Sequence, residues 1–501
     1  MKKLLSLVLT LMLTLALFAP AMAEEAAPKI VYEGFLAMRV FEGRGDSDPE
    51  AYAAIHDMIL EDTGVDAVPV WFPYGAEDER RNLMIADDSQ QLDIIMSGDW
   101  AEYADSGVIA PLNDLLEEYG QDILEAYSEF PGIWDVVTDP ETGNIYGLPR
   151  TLDLTQYPVW VRQDWLDAVG MEQPSTIDEL EAVLEAFYTQ DPAGNGQTIP
   201  ILLDLDGINY GLSGAFTEGG YGNWIGEDGR VYLPVLQEGY SDCIAKMAEW
   251  YEKGYIYMDS FNVDTTRINE LIVADRVGTT AIVYSPVCIN LPELQKINPE
   301  ANYGYNPELS GDKGYAETAI GATSSCMMIL ESCENKEAAM KLLNWFMDKE
   351  NFVSSYCGRI GIDWDWVDEE ASTLIRHDTD TYDGEFYLYP NNLMIRYLNI
   401  LNSADEEPGL YTRFLTEDSY RTSGVKYAGD YGVNYSTAKL SELAPNYSDI
   451  VTMIEEQTIN FITGVRPMDE WDTFVNEELP AAGLEQVIDA YTQLYNEAKG
   501  L

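Results

Sequence analysis

The sequence predicts an α/β fold spread over more than one domain, and three observations carry that reading. The chain has 501 residues, whereas single hydrophobic cores stop growing at about 250–300 residues. Its apolar content of 46% and aromatic content of 12% are those of a globular chain. Short apolar runs of strand character alternate with amphipathic helical patterns, the arrangement that builds open, largely parallel sheets.

Residues 144–170 organise the rest. Gly147 and Pro149 mark a tight turn, and 150–156 is free to bend. Tyr157, Val159 and Val161 then alternate with Pro158, Trp160 and Arg162 at the period of a strand. Thr176 and Glu179 are spaced as a capping box ahead of a helix with Ile177, Leu180, Val183, Leu184 and Phe187 on one face. Upstream, strands are expected at 30–35, 65–72 and 92–96, with helical patterns at 51–60 and 82–86. The third strand runs into Ser97-Gly98-Asp99-Trp100. Ligands in open α/β sheets sit beyond the carboxyl ends of strands, which makes this loop a candidate site. Downstream, 277–284 reads as a strand ending in the turn residues Ser285-Pro286, and 302–315 as irregular crossing chain. A returning strand is expected at 318–330 and a helix at 337–347 with Asn335 as its N-cap. The last helix carries Leu484, Val487, Ile488, Tyr491, Leu494 and Tyr495 at core spacing.

The N-terminus has the layout of a secretory signal. Lys2 and Lys3 precede an apolar run from 4 to 18, and Ala21-Met22-Ala23 offers a cleavage site. The run is short for a membrane span, and no cysteine stands near the cleavage site to take a lipid. The expected mature protein is exported and soluble, in the periplasm or outside the cell. The chain holds 28 Lys and Arg against 88 Asp and Glu, a formal charge of −60, which loss of the two lysines takes to −62. Such a chain does not bind nucleic acid or an acidic membrane surface electrostatically. The acids are spread along the whole length, as in a solubilising coat. Five cysteines (Cys243, Cys288, Cys326, Cys333, Cys357) fit no zinc spacing. Buried free thiols are expected, although an oxidising compartment would allow one disulfide.

A set of runs in fixed order resembles a known family. These are Tyr103-Ala104…Gly107…Ile109…Pro111-Leu112, Ile145-Tyr146-Gly147-Leu148-Pro149 and Arg162…Asp164-Trp165-Leu166…Gly170. Asp228-Gly229-Arg230-Val231 and Tyr251…Gly254…Ile256 follow, then Phe461-Ile462…Gly464, Trp471-Asp472 and Gly483-Leu484. Together they resemble the large lipoprotein-type, sugar-binding subgroup of extracellular solute-binding proteins, the ligand-capturing components of ABC importers. The resemblance implies a two-lobed periplasmic-binding-protein-like fold of type II, hinged near 151–157, with ligand held between the lobes. Lobe one would comprise 24–153 and 316–358, and lobe two 154–315 and 359–501. The missing lipid cysteine departs from the family pattern.

Candidate ligand contacts are residues at strand ends or crossings. Asp99 and Trp100 follow the third strand, and Arg150 and Asp153 sit at the hinge. Trp224 lies in a glycine-rich run, Tyr284 and Ser285 end a lobe-two strand, and Trp364 follows the last crossing. Trp160, within a strand, and Trp165, at a helix start, are expected in the core. Asp191, Asn195 and Gly196 fit positions one, five and six of the calcium loop the family often carries. Ala193 and Ile199 cannot supply the remaining oxygens, so an Asn-Gly turn is expected and no metal or cofactor.

Catalytic chemistry has little support. There are two histidines, His56 and His377, and none of the nucleophile-elbow, HExxH, phosphate-loop or dinucleotide-binding patterns. Eleven Trp and thirty-three Tyr exceed fourteen Phe. Their rings offer an apolar face and a polar edge, which suits a sugar ring. A monomeric, non-enzymatic receptor for a carbohydrate, served by an ABC permease, is the leading reading. A peptide or other polar nutrient, a secreted glycan hydrolase acting through two carboxylates and a surface adhesin remain its rivals.

Overall fold

The computed structural model describes residues 26–34, 49–72, 76–87, 89–128, 133–150, 154–155, 157–218, 220–320, 323–370, 373–377, 402–403, 425–426 and 437–501. The expected secretory leader lies outside them. The chain first forms β1 (Lys29–Glu33), β2 (Asp66–Val70), β3 (Ile94–Ser97) and β4 (Leu148–Arg150). It then passes through β5 (Leu154–Thr155) into β6 (Val159–Arg162), β7 (Ile199–Leu203) and a hairpin of β8 (Trp224–Ile225) and β9 (Val231–Tyr232). β10 (Val277–Ala281) and β11 (Tyr303–Tyr305) follow, and β12 (Thr318–Ile320) leads back to β13 (Thr323–Ile329). The return expected as one strand at 318–330 is therefore two, one in the crossing and one in the first sheet.

The first sheet has the order β2-β1-β3-β13-β4 and the second β11-β6-β10-β7. β1 runs parallel to β2 and β3, while β13 is antiparallel to β3 and β4. In the second sheet β10 is parallel to β7 and antiparallel to β6, which is antiparallel to β11. β1, β6, β7 and β10 bury residues on both of their faces. Ile30, Tyr32, Met327 and Ile329 enter one buried cluster, while Val31, Cys326 and Met328 enter another on the opposite face. Trp160 and Leu202 are likewise separated from Val159, Val161 and Leu203. Trp160 is fully buried and Trp165 nearly so, at 0% and 2% exposure, as their positions in the sequence predict.

Helix Ile177–Gln190 begins at Thr176, whose Oγ1 accepts the Glu179 N–H at 3.2 Å. Glu179 reaches back to the Ser175 N–H at 2.9 Å, one residue before the expected partner. Its buried face includes all five predicted residues. The strand expected at 277–284 ends at Ala281, and Tyr284 stands at the start of helix Ser285–Gln295. Pro286 explains the change, because proline is well placed in a first helical turn.

The described chain beyond 358 includes a hairpin and a set of C-terminal helices. β14 (Trp364–Asp368) and β15 (Thr373–Arg376) form an antiparallel pair. Lys349 Nζ donates to the Glu369 carbonyl at 2.6 Å and lies 5.0 Å from the Trp366 ring. Trp364 is buried in the cluster that holds Phe352 and Val353. This hairpin therefore packs against helix Lys349–Cys357. Helices Tyr447–Ile462 and Leu484–Lys499 share a core with helix Tyr240–Glu252. Among the described residues, no helix is long and apolar enough to cross a membrane. Two further short strands, β16 (Asn402–Ser403) and β17 (Val425–Lys426), pair with β15 and β12.

Candidate ligand-binding site

The topology brings the same kind of edge from each sheet toward the crossings. β4 ends at Arg150 and β6 begins at Val159, with β5 between them. Because β6 is antiparallel to β10, with Val159 paired to Ala281, its start lies at the carboxyl end of β10. β7 and β11, both aligned with β10, end at that edge too. In the first sheet β1, β3 and β4 end at the edge from which the chain leaves. The order β2-β1-β3 puts a topological switch point between β1 and β3, where ligands collect in open α/β sheets.

Lobe one's edge is built around a buried ion pair. Glu33 closes β1 at 1% exposure and receives Arg81 Nε at 2.9 Å and Nη2 at 3.0 Å. The Met96 N–H also donates to it at 3.0 Å, and Asp78 engages the remaining face of Arg81. Just beyond, the half-buried Trp71 indole lies against Gly34, where a Cβ would stand 2.8 Å from Nε1. Asp99 is exposed at the head of helix Trp100–Asp105, and its carboxylate caps none of the first N–H groups. Trp100 turns inward: it is 5% exposed, donates from Nε1 to the Val136 carbonyl at 2.9 Å and stacks on Tyr146.

Lobe two's edge is lined by tyrosines and carboxylates. Helix Leu205–Gly211 springs from Asp204, which follows β7 and whose Oδ1 accepts the Gly207 N–H at 2.7 Å. The helix lies across the strand ends, and only glycine allows this. A Cβ at Gly207 would overlap the Ala281 carbonyl oxygen, and one at Gly211 would stand 2.6 Å from the Tyr157 carbonyl oxygen. Tyr210 is thereby stacked on Tyr157 with centroids 5.4 Å apart, and Tyr221 meets Tyr210 edge-on at 5.1 Å. All three rings are half-buried. Asp206 Oδ2 accepts from the Tyr157 hydroxyl at 3.4 Å.

This edge disfavours negative charge. Burial raises the Asp204 carboxyl and the neighbouring Asp206 charge adds to it, against the Gly207 N–H, giving a value of about 6. Burial and then Asp206 raise the Tyr157 and Tyr210 hydroxyls. An acid raised from 3.8 to about 6 contributes stability at low pH that is lost as pH climbs through that interval. Asp204→Asn keeps an acceptor for the Gly207 N–H and removes the ionisation. Its melting temperature should therefore fall less than that of the unmodified protein between pH 4 and 6. Parallel slopes in a pH series of thermal melts would contradict the assignment.

The crossings connect the two edges through hydrogen bonds. β12 is the central strand of a three-stranded sheet with β5 and β17. The Tyr221 N–H donates to Thr318 Oγ1 on β12 at 3.0 Å, and Tyr305 at the end of β11 donates to the buried Glu317 beside it. The ring-bearing loop and the second sheet are thus both tied to the returning crossing.

The residues anticipated from sequence fall into three groups. Asp99, Tyr284 and Ser285 lie at strand-end edges, Tyr284 and Ser285 after β10. The Arg150 side chain and Asp153 lie outside the described residues. Trp100 and Trp364 are packing residues here. Trp364 is 0% exposed and donates from Nε1 to the Gly358 carbonyl at 2.9 Å. Trp224 stacks on Tyr232 in a hairpin held to the last helix by Arg230 with Glu485 and Asp489. The sequence reading missed Trp71, Tyr157, Asp204, Asp206, Tyr210 and Tyr221. Trp71 and Asp204 each directly follow a strand, the signal that selected Asp99.

In the loop at 191–198, the Asp191 carboxylate accepts from the Gly196 N–H at 2.8 Å and Thr198 Oγ1 at 2.7 Å. Its oxygens close the turn on itself. The two histidines pair with aspartates, His56 with Asp66 at 3.0 Å and His377 with Asp365 at 2.7 Å.

Residues 45–351 match the family described as bacterial extracellular solute-binding protein. The chain is 30% identical over 206 residues to the fructooligosaccharide ABC transporter substrate-binding protein FusA of Streptococcus pneumoniae, covering 37% of this chain and 38% of that one. It is 24% identical over 371 residues to the polygalacturonan/rhamnogalacturonan-binding protein YtcQ of Bacillus subtilis, covering 71% of each. The alignment with FusA thus spans under half of that relative's length. A solved structure of a FusA EF-hand mutant in complex with fructo-nystose superposes with a TM-score of 0.69 at 20% identity, over 94% of this chain and 99% of that one. An HMO-binding solute-binding protein from Bifidobacterium longum infantis gives 0.68 at 18% identity, over 94% and 98%. The likeness extends over both lobes and establishes the fold.

Proposed function

Because the chain belongs to the bacterial extracellular solute-binding protein family, we propose that it captures an oligosaccharide outside the cytoplasmic membrane and presents it to an ABC-type importer. The observation that carries this reading is the pair of strand-end edges flanking the crossings, with Trp71 on one and the Tyr157, Tyr210 and Tyr221 rings on the other. Flat rings with hydroxyl and carboxylate neighbours match the alternating apolar and polar faces of a saccharide. The fructooligosaccharide in the name of FusA, and more broadly the polysaccharides in that of YtcQ, support a carbohydrate ligand.

The mechanism is differential binding to two arrangements of the lobes. Ligand held by one edge gains the contacts of the other on closure, and that gain shifts the population toward the closed form. No bond is made or broken, and the protein acts as a monomer without nucleic acid or cofactor. The N-terminal segment serves as the export signal, cleaved after Ala23.

A thermal-shift screen of the chain from Glu24 onward against oligosaccharides, short peptides and calcium tests this. A ligand at about 100 times its dissociation constant adds about 2.7 kcal/mol of stability. Oligosaccharides should raise the melting temperature and shift tryptophan fluorescence, with no product by chromatography. A response confined to peptides would keep the fold and sink the saccharide assignment, and product formation would overturn the receptor reading.

A further inference from the structure

We infer that Thr318 is a positioning residue for the saccharide site, setting ligand affinity by fastening the Tyr221 ring to the crossing strand β12. The inference rests on the receptor reading, because it concerns how the ring ladder is held for ligand. The rings of that ladder hang from different supports. Tyr210 rides on helix Leu205–Gly211, which is seated on β10 through Gly207. Tyr157 stands between β6 of the second sheet and β5, whose Leu154 and Thr155 pair with Ile320 and Ala319 of β12. Tyr221 is fastened to the neighbouring residue of that same strand, its N–H donating to Thr318 Oγ1 at 3.0 Å. The middle ring therefore follows the second sheet, and Tyr221 follows β12.

The fastening is closely built. Thr318 is buried, and Gly220 lies against it with φ +77, where a Cβ would overlap Oγ1. Two backbone bonds secure the same loop along the approach to β12. The Gly214 N–H donates to the Ala316 carbonyl at 3.0 Å, and the Lys313 N–H to the Ala215 carbonyl at 3.2 Å. Those two survive any change of side chain. The Thr318 hydroxyl supplies the bond nearest the ring, and it can be removed alone. Without it, Tyr221 loses its tie to β12 and with it the fixed edge-on placement against Tyr210 at 5.1 Å. Tyr221 still packs on Tyr240, with centroids 5.9 Å apart, so the loop shifts rather than unfolds. A ring held in place before ligand arrives need not be ordered on binding, which favours affinity. Displacement of β12 also carries Tyr221 across Tyr210. Ring geometry and crossing geometry are thus linked, and such a linkage acts in both directions.

The test is a cycle of variants in the chain from Glu24 onward. Thr318→Val removes the acceptor at nearly constant volume, and Thr318→Ser keeps it. Tyr221→Ala and the Thr318→Val/Tyr221→Ala pair complete the set. Hydrogen exchange of the Tyr221 amide is read first, without ligand. Calorimetric titration follows with nystose, maltotetraose and the oligosaccharide that most raises the melting temperature. Thr318→Val should speed exchange at Tyr221 and weaken saccharide binding about threefold to tenfold, the scale of one hydrogen bond. Thr318→Ser should restore both. On the Tyr221→Ala background, Thr318→Val should cost no further affinity, because its effect passes through that ring. Losses that simply add would mark Thr318 as a structural residue and overturn the inference. So would a Thr318→Val protein that binds as tightly as the unmodified one, and in either case the receptor reading stands. If thermal melts show that Tyr221→Ala does not fold, the contrast of valine with serine decides alone. Failure of every saccharide to bind the unmodified chain would overturn the receptor reading and the affinity role with it.

Discussion

Arg81→Met should cost about 3–5 kcal/mol of folding stability, a large share of what a domain has. Arg81 and Glu33 are 2% and 1% exposed, and their paired contacts at 2.9 and 3.0 Å hold helix Glu77–Ile85 against the end of β1. Removing the guanidinium leaves Glu33 charged, buried and supported by the Met96 N–H alone among the donors just described. Removing one partner of a buried pair is costly for this reason, whereas removing both charges is not. Arg81→Met combined with Glu33→Gln should therefore recover part of the loss, since the glutamine oxygen still accepts from Met96. Guanidinium melts of the two variants decide the matter, and an Arg81→Met loss under about 1 kcal/mol would show that the pair is not what holds this edge.

Gly207→Ala should destabilise the second lobe by about 1–3 kcal/mol or more, the usual cost of forcing extra atoms into a packed interior. The new methyl would overlap the Ala281 carbonyl oxygen, which is backbone and cannot rotate away. The helix would have to lift from β10, carrying Tyr210 off Tyr157 and weakening saccharide binding as well as stability. Paired thermal melts and titrations check this. A Gly207→Ala variant with unchanged stability and affinity would mean that the helix has room to shift.

The sequence announced the alternating elements and the helix face at 177–187 because both follow from periodicity, a local property. It also pointed to the β3 loop, since carboxyl ends of strands can be placed once strands are placed. Trp100 and Trp364 show where that logic stopped. Each follows a strand or crossing, yet each buries its ring and spends its indole N–H on a backbone carbonyl. Nothing in the spacing distinguishes a tryptophan turned inward from one turned to solvent. Tyr210 was missed for the opposite reason, because its place depends on a helix lying across strands far away in sequence. Arg81 looked like one more member of the charged run Glu77-Asp78-Glu79-Arg80-Arg81, and only its partner 48 residues away makes it a core residue.

The three-stranded sheet of β5, β12 and β17 limits how the molecule can deform. Independent threads between two bodies would let them twist, slide and bend separately. Here the outgoing and returning threads are laced together by backbone hydrogen bonds, with 425–426 laced to the other side of β12. Twisting or sliding would break that lacing, and bending of the ribbon as a unit would not. Bending of that ribbon is therefore the motion these crossings resist least. A distance between labels on the two lobes would then report that bending directly.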